Sequence, residues 1–138
     1  MSPHRLPIRV YYEDTDFSGN VYHAAYLHFF ERGRTEFLRD LGIHHSELIR
    51  DGIAFAVRRM VIDFRSAAHI DDLLEVETRV APGTPARLNL VQTIRRGDEV
   101  LTVADVQVVA IRTGGGAARL PEALRRLAGT PADDAIPS

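Results

Sequence analysis

One segment of this chain has the pattern of a long helix, and most of the remaining chain alternates like β-strands. In residues 22–41, aromatic and apolar side chains and one glycine recur at spacings of three and four: Tyr22, Tyr26, Phe29, Phe30, Gly33, Phe37 and Leu41. Charged residues fill the other face. A glycine on the apolar stripe costs helix propensity, so it indicates close packing against a sheet. The pattern predicts one long helix that lies on a sheet.

Five segments have the alternating pattern of strands: 6–12, 55–65, 74–80, 88–94 and 100–112. In segment 55–65 one face is predicted to carry Ala56, Arg58, Met60, Ile62 and Phe64. Short helices are predicted at 46–51 and 120–127, a tight hairpin turn at 96–99 and a flexible break at 114–116. The order predicts an α+β domain with an antiparallel five-stranded sheet. One helix cannot cover both faces of such a sheet, so we expect a second copy to bury the other face or an edge.

The chain length and composition suit a single domain. The 138 residues are 45% hydrophobic and 26% charged, close to the average for globular proteins. We expect one domain over residues 1–128, followed by a loose tail at 129–138 that carries proline and aspartate.

Three residue types are absent, and their absence excludes several kinds of chemistry. The chain has no Cys, no Trp and no Lys, so all 17 of its basic residues are Arg. This excludes a thiol nucleophile, a Cys-ligated metal and a cofactor bound as a lysine imine. No spacing of histidines or carboxylates indicates a metal site, and we expect neither a metal nor a cofactor.

The net charge and the hydropathy of the chain indicate which binding partners and which cellular location to expect. A formal charge of −2 is unfavourable for general nucleic-acid binding, which relies on a basic surface. No apolar run is long enough to cross a bilayer, and the first residues lack the apolar stretch of a signal peptide. The expected location is the cytoplasm.

The loop at 13–20, just before the long helix, carries the strongest local signal. It partly matches an EF-hand calcium loop, but the position for the bidentate glutamate is occupied by Ala25 and no helix precedes it, so we reject that interpretation. Asp, Ser, Gly and Asn are also ordinary turn and capping residues. That interpretation leaves the bulky polar pair Tyr22 and His23 at the helix entrance unexplained.

The third interpretation is an active site. A helix start offers unpaired N–H groups and a partial positive charge, which can polarise an acyl carbonyl as an oxyanion hole does. Gly19 would let a substrate approach the backbone closely. The same dipole would keep a nearby aspartate ionised as nucleophile or base, and His23 could orient water or donate a proton.

These residues resemble a known family, the hotdog-fold acyl-CoA thioesterases of the 4-hydroxybenzoyl-CoA thioesterase superfamily. The most similar branch is the one encoded beside the bacterial Tol-Pal envelope system. The resemblance runs in order to about Arg112, through residues 9–16, Gly19, 21–24, Tyr26, 31–32, 34–36, 54–55, 57–60 and 71–75.

The resemblance implies a sheet wrapped around the long helix, homo-oligomers built from dimers and often tetramers, and hydrolysis of acyl-CoA. It assigns the catalytic aspartate to Asp16, the branch histidine to His23 and the polarising N–H to the helix entrance. Glu31 in the helix is a weaker candidate base, because an ion pair with Arg34 or Arg32 is the simpler interpretation. The expected substrate-binding residues are Gly19, Val21, Tyr22, Tyr26, Arg58, Arg59 and Met60.

Several interpretations stay open. Because they are neighbours in a strand, Arg58 and Arg59 are expected to point to opposite faces, where either one contacts a CoA phosphate or forms an ion pair. Tyr22, Tyr26 and Met60 either line the acyl pocket or belong to the core. Phe17 and Ser18 replace a small pair, and the loop at 81–86 lacks the basic residues that grip CoA in some relatives. A non-catalytic subunit that binds acyl chains or acyl carrier protein, and a dehydratase, are the alternative functions.

Overall fold

A computed structural model describes residues 2–129 and contains six strands, three α-helices and one short 3-10 helix within that range. The elements in chain order are β1 His4–Arg9, α1 His23–Asp40, α2 His45–Arg50, β2 Ile53–Phe64, β3 Leu73–Thr84, β4 Arg87–Arg96, β5 Glu99–Arg112, β6 Ala117–Ala118 and α3 Glu122–Ala128. Every predicted helix and strand is present, with ends that differ by a few residues. The predicted tail lies outside the described residues from position 130 onward.

The strands form one antiparallel sheet in the order β1-β3-β4-β5-β2. The predicted tight turn joins β4 to β5, where Arg96 pairs with Glu99. Gly114, Gly115 and Gly116, where the sequence predicts a flexible break, form the turn of a second hairpin that pairs β6 with β5. The α+β prediction with five main strands is confirmed, and β6 adds a short sixth strand that the sequence pattern did not reveal.

Helix α1 lies on the inner face of the sheet, over β1 and β3. Its buried residues form one stripe: Ala25, Tyr26, Phe29, Phe30, Gly33, Phe37 and Leu38. A Cβ atom at Gly33 would lie 2.6 Å from Val76 Cγ1 on β3, so the close packing predicted from this glycine is confirmed. Tyr22, predicted on the same stripe, is instead the residue just before the helix and is 41% exposed.

Strand β2 contains a β-bulge that the alternating pattern conceals. Val57 and Arg59 pair with two consecutive residues of β5, so Arg58 is an extra residue. A bulge shifts the alternation of side chains by one position. The prediction that Ala56, Arg58, Met60, Ile62 and Phe64 share one face is therefore wrong: Met60, Ile62 and Phe64 lie on the inner face, and Ala56 and Arg58 do not.

Among the described residues, no helix has both the length and the apolar character that crossing a membrane requires.

Candidate active site

Asp14 is the first of the two aspartates before α1, and its groups hold the loop together. Its carboxylate accepts the N–H of Tyr11 at 2.9 Å and closes a single 3-10 turn, Tyr12–Asp14. Its backbone carbonyl accepts the N–H of Tyr22 at 3.3 Å. These bonds give Asp14 a structural role at the entrance to the loop.

Asp16, the second aspartate, is exposed and held by one neighbour. Its Oδ1 accepts the backbone N–H of Ser18 at 2.8 Å and the hydroxyl of the same residue at 2.5 Å. These bonds, the hydroxyl first and the N–H second, hold the pKa of the Asp16 carboxyl below its usual value. The site therefore contains a carboxylate that stays ionised well below neutral pH.

The chain turns sharply after Asp16, and Gly19 makes this turn possible. The N–H of Gly19 donates to the carbonyl of Asp16 at 3.1 Å, and the N–H of Asp16 donates to the carbonyl of Asn20 at 2.9 Å. Gly19 has a φ of 84°, a left-handed conformation that glycine adopts without steric cost. This turn joins Asp16 to the short segment that leads into α1.

The start of α1 is open. Tyr22 precedes the helix in an extended conformation, and no side chain caps the first turn. The first N–H groups of a helix have no partners within it, and they carry the positive end of the helix dipole. The N–H of Ala25 donates to the carbonyl of Tyr22 at 3.0 Å, so the N–H groups of His23 and Ala24 are the ones that can polarise a carbonyl oxygen.

A cleft of about 440 Å³ lies at this end of the helix. It brings together five predicted site residues, Asp16, Val21, Tyr22, His23 and Tyr26, with residues that the sequence analysis did not single out as site residues: Asn20, Phe64, Arg65, Ser66 and Ala67. One wall thus comes from the end of β2 and the loop that follows it.

Aromatic contacts orient the side chains in the cleft. The ring of His23 lies over Phe64 with a centroid distance of 4.6 Å, and Tyr26 meets Phe64 edge to face at 5.4 Å. The hydroxyl of Tyr26 accepts the N–H of Ala68 at 2.9 Å. Burial raises the pKa of the Tyr26 phenol, so it stays protonated at neutral pH. Phe64 therefore supports both the histidine and the tyrosine.

The other predicted residues lie outside the lining of this cleft. Gly19 shapes the turn behind it, and Met60 packs against the core from the inner face of β2. The prediction that Arg58 and Arg59 point to opposite faces is wrong. Arg59 pairs with Gln107 across the sheet, and the guanidinium of Arg58 donates to the amide oxygen of the same Gln107 at 3.2 Å, because the bulge turns both toward the outer face. Glu31 also lies away from the cleft, beside Arg34.

Local patterns gave little indication of the wall formed by residues 64–67. Its residues are far from the helix in sequence and meet it only because β2 ends beside the start of α1. The sequence offers one signal for this wall. A run of small residues at 66–68 directly follows a strand, and small side chains let another part of the chain approach the backbone closely. No three His, Asp or Glu side chains within residues 2–129 come together as metal ligands.

Comparison with known proteins gives a consistent result. Residues 10–127 match the thioesterase-like superfamily. The acyl-CoA thioesterase YbgC of Haemophilus influenzae is 47% identical over 110 residues, which cover 79% of this chain and 81% of that protein. The acyl-CoA thioester hydrolase YbgC of Escherichia coli O6:H1 is 41% identical over 108 residues, which cover 78% and 81%.

Solved structures have the same fold. A probable thioesterase from Bartonella henselae is 45% identical and superposes with a TM-score of 0.82, covering 87% of this chain and all of that one. A 1,4-dihydroxy-2-naphthoyl-CoA thioesterase from Synechocystis, at 24% identity, has a TM-score of 0.81 over 88% of this chain and 92% of its own. The second likeness concerns the fold alone.

Proposed function

The chain belongs to the thioesterase-like superfamily and is an acyl-CoA thioesterase with the hotdog fold, and we propose that it hydrolyses its substrate in the cleft at the start of α1, with Asp16 as the catalytic carboxylate. One observation carries this proposal. An ionised carboxylate and the uncapped first turn of a helix lie in the same open cleft. Hydrolysis of a thioester needs both, because the carboxylate, or a water that it activates, attacks the carbonyl carbon while N–H groups stabilise the carbonyl oxygen.

Two mechanisms use the same residues. In the first, Asp16 attacks the carbonyl carbon, the carbon–sulfur bond breaks, and CoA leaves as a thiolate that takes up a proton. Water then hydrolyses the mixed anhydride and regenerates Asp16. In the second, Asp16 removes a proton from the water that attacks the carbonyl carbon, the carbon–sulfur bond breaks, and the CoA thiolate takes up a proton. The low pKa of Asp16 makes it a weak base and favours attack by the carboxylate itself.

The other cleft residues have supporting roles in this proposal. The N–H groups at the helix start hold the carbonyl oxygen, and Gly19 keeps the turn tight enough for the substrate to reach them. The His23 imidazole, held over Phe64, orients water or supplies a proton to the leaving thiolate. Val21, Tyr22 and Tyr26 contact the acyl group at the mouth of the cleft.

The phosphates of CoA need cationic partners outside the loop at 81–86, because that loop has no basic residue. We propose that Arg58 and Arg59 bind these phosphates, since both residues are exposed and lie on the same face of the sheet. Met60 follows them in the same strand. We also propose that the protein acts in the cytoplasm, in association with the Tol-Pal system that the family resemblance suggests.

We further propose that the protein is a homo-oligomer. β2 is the last strand in the main order of the sheet, and three of its large apolar side chains are substantially exposed: Val57 at 45%, Val61 at 49% and Phe64 at 42%. An exposed apolar edge favours pairing with another copy. Sedimentation at several protein concentrations tests this, and a monomer throughout would contradict it.

Release of free thiol from a panel of short-chain, long-chain and aromatic acyl-CoAs tests the function. Turnover of at least one member is expected. Binding of acyl-CoA or acyl carrier protein without any thiol release would instead favour the non-catalytic subunit. A single turnover in ¹⁸O-labelled water, followed by mass analysis of the enzyme, tests the first mechanism: label in Asp16 shows that the carboxylate attacked and that water then cleaved the anhydride at the Asp16 carbon. Label in the released acid alone fits general-base catalysis and also fits attack of water on the acyl carbon of the anhydride.

A further inference from the structure

The loop between β2 and β3, residues 65–72, holds the catalytic turn in place. The N–H of Val21 donates to the carbonyl of Ala68, and the N–H of Ile70 donates to the carbonyl of Gly19, both at 2.9 Å. Asn20 forms a β-bridge with His69 between these two bonds. The backbone that follows Asp16 is therefore fixed by this loop as well as by its own turn.

The 65–72 loop depends in turn on the side chain of Arg96, at the end of β4. The Nη1 atom of Arg96 donates to Asp72 Oδ2 at 2.7 Å and to the carbonyl of Ala67 at 3.2 Å, and it lies 3.3 Å from His69 Nδ1. Its Nη2 atom donates to Glu99 Oε1 at 2.7 Å. One guanidinium thus joins three residues of the loop to the start of β5.

Asp72 completes the connection from within the loop. Its Oδ2 accepts the N–H of His69 at 2.8 Å, and its carbonyl accepts the N–H of Val10 at 2.9 Å. Burial alone would raise the pKa of Asp72, but the hydrogen bonds from Arg96 and His69 outweigh it and keep the carboxyl ionised. The side chains of Asp72 and Arg96 are only 22% and 30% exposed. The pair is better shielded from solvent than an isolated surface ion pair.

We propose that Arg96 and Asp72 are positioning residues for catalysis: through the 65–72 loop they hold the backbone of Gly19, Asn20 and Val21, and so the spacing between Asp16 and the start of α1. This inference rests on the proposed role of Asp16. Neither residue lines the cleft. Small displacements of reacting groups cost on the order of 100-fold in rate, so a loosened loop lowers kcat without removing a catalytic group.

The test compares kcat and KM for Arg96→Ala, Arg96→Lys and Asp72→Asn with the wild type, on an acyl-CoA that the wild type hydrolyses. Arg126→Ala is the matched control, because it removes an arginine that pairs with Glu122 in α3, away from the cleft. We expect kcat to fall by roughly 10- to 100-fold in Arg96→Ala, with KM changed much less. Lysine keeps the charge but not the fork of donors, so Arg96→Lys should recover part of the loss.

Amide hydrogen exchange supplies a readout that does not depend on turnover. Exchange at Val21 and Ile70, whose N–H groups bond across the two loops, is expected to be on the order of tenfold faster in Arg96→Ala. Exchange at Leu90, in the buried part of β4, is expected to stay at the wild-type rate. If Arg96→Ala does not fold, Arg96→Lys and Asp72→Asn provide the same comparison.

The two proposals can fail separately. If Asp16→Asn abolishes turnover while the Arg96 and Asp72 variants keep both the wild-type kcat and slow exchange at Val21 and Ile70, the positioning role is overturned alone. The positioning role is also overturned if exchange speeds up but kcat does not change. If Asp16→Asn keeps full activity, the proposed catalytic carboxylate is wrong, whatever the loop does. Additive losses in Arg96→Ala/Asp72→Asn would also contradict one shared network.

Discussion

The phenol oxygen of Tyr26 accepts the backbone N–H of Ala68 at 2.9 Å, a buried contact between α1 and the 65–72 loop. Tyr26 is 2% exposed and Ala68 is fully buried. The sequence places this tyrosine on the apolar stripe and makes it a candidate for the substrate pocket. In the structure it belongs to the stripe, and it also lines the cleft.

Replacing this tyrosine tests the contact. In Tyr26→Phe the buried N–H of Ala68 loses its partner, which is expected to lower the free energy of unfolding by about 1–3 kcal/mol. Urea denaturation measures the change. Tyr12→Phe is the control, since the Tyr12 side chain is 78% exposed. Equal stability of the two variants would contradict the account of this contact.

The approach of α1 to β3 at Gly33 gives a second prediction. In Gly33→Ala the new methyl group would lie 2.6 Å from Val76 Cγ1. Overpacking costs about 1–3 kcal/mol, whereas the better helix propensity of alanine returns only about 1 kcal/mol. A net loss of stability is expected in thermal and urea unfolding.

Gly114→Ala is the matched control for this glycine, because a Cβ there meets no atom within 4 Å and its φ is not positive. It should unfold at or slightly above the wild-type midpoint. A Gly33→Ala variant as stable as this control would show that the packing is looser than the structure describes.

The proposed role of Asp16 predicts that Ser18 sets the acid limit of activity. Its hydroxyl is the largest cause of the lowered pKa of Asp16, so Ser18→Ala is expected to raise that pKa toward the usual value. In the proposed mechanism the reaction needs the ionised Asp16 carboxylate and is lost as pH falls through its pKa, so the acid limb of kcat/KM should move to higher pH. Near neutral pH the Asp16 carboxyl stays ionised in this variant too, so protonation of Asp16 should not lower the rate there.

A pH–rate profile of Ser18→Ala measures this shift, with Ser46→Ala on the exposed surface of α2 as the control. An acid limb that stays at its wild-type position would mean that Asp16 does not control it.

The proposed CoA contact concerns the two arginines of the β2 bulge. Arg58 already donates to Gln107, so Arg59 is the stronger candidate for a phosphate. Loss of one charge-assisted hydrogen bond corresponds to a KM for acyl-CoA that is higher by about tenfold. Arg59→Ala should show this increase with acyl-CoA and not with an acyl-pantetheine thioester, which lacks the nucleotide. An equal rise in KM with both substrates would mean that Arg59 does not act by contacting the CoA phosphates.

Most of the fold could be predicted because each element has a regular period. The apolar stripe of α1 and the alternation of β3, β4 and β5 follow directly from side-chain geometry. The bulge at Arg58 could not be predicted, since an extra residue leaves the pattern alternating on both sides. The short β6 could not be predicted, because a run of three glycines is as typical of a flexible break as of a hairpin turn.

The candidate site was predicted only in part, for a related reason. Asp16, Tyr22 and His23 are close in sequence, and their surroundings identify them as a group. Phe64 and the residues after it join the cleft through the order of the strands, which no local pattern encodes. The role of Arg96 is a further step away, because its link to Asp16 passes through a second loop.

The catalytic role of Asp16 is tested by kcat for Asp16→Asn, measured beside Asp14→Asn on an acyl-CoA that the wild type hydrolyses. An asparagine at position 14 can still accept the N–H of Tyr11, so that variant should keep its activity. Loss of the Asp16 carboxylate is expected to lower kcat by on the order of 10²- to 10⁴-fold with the fold intact by circular dichroism. An Asp16→Asn variant with the wild-type kcat would show that this carboxylate does not carry out the reaction.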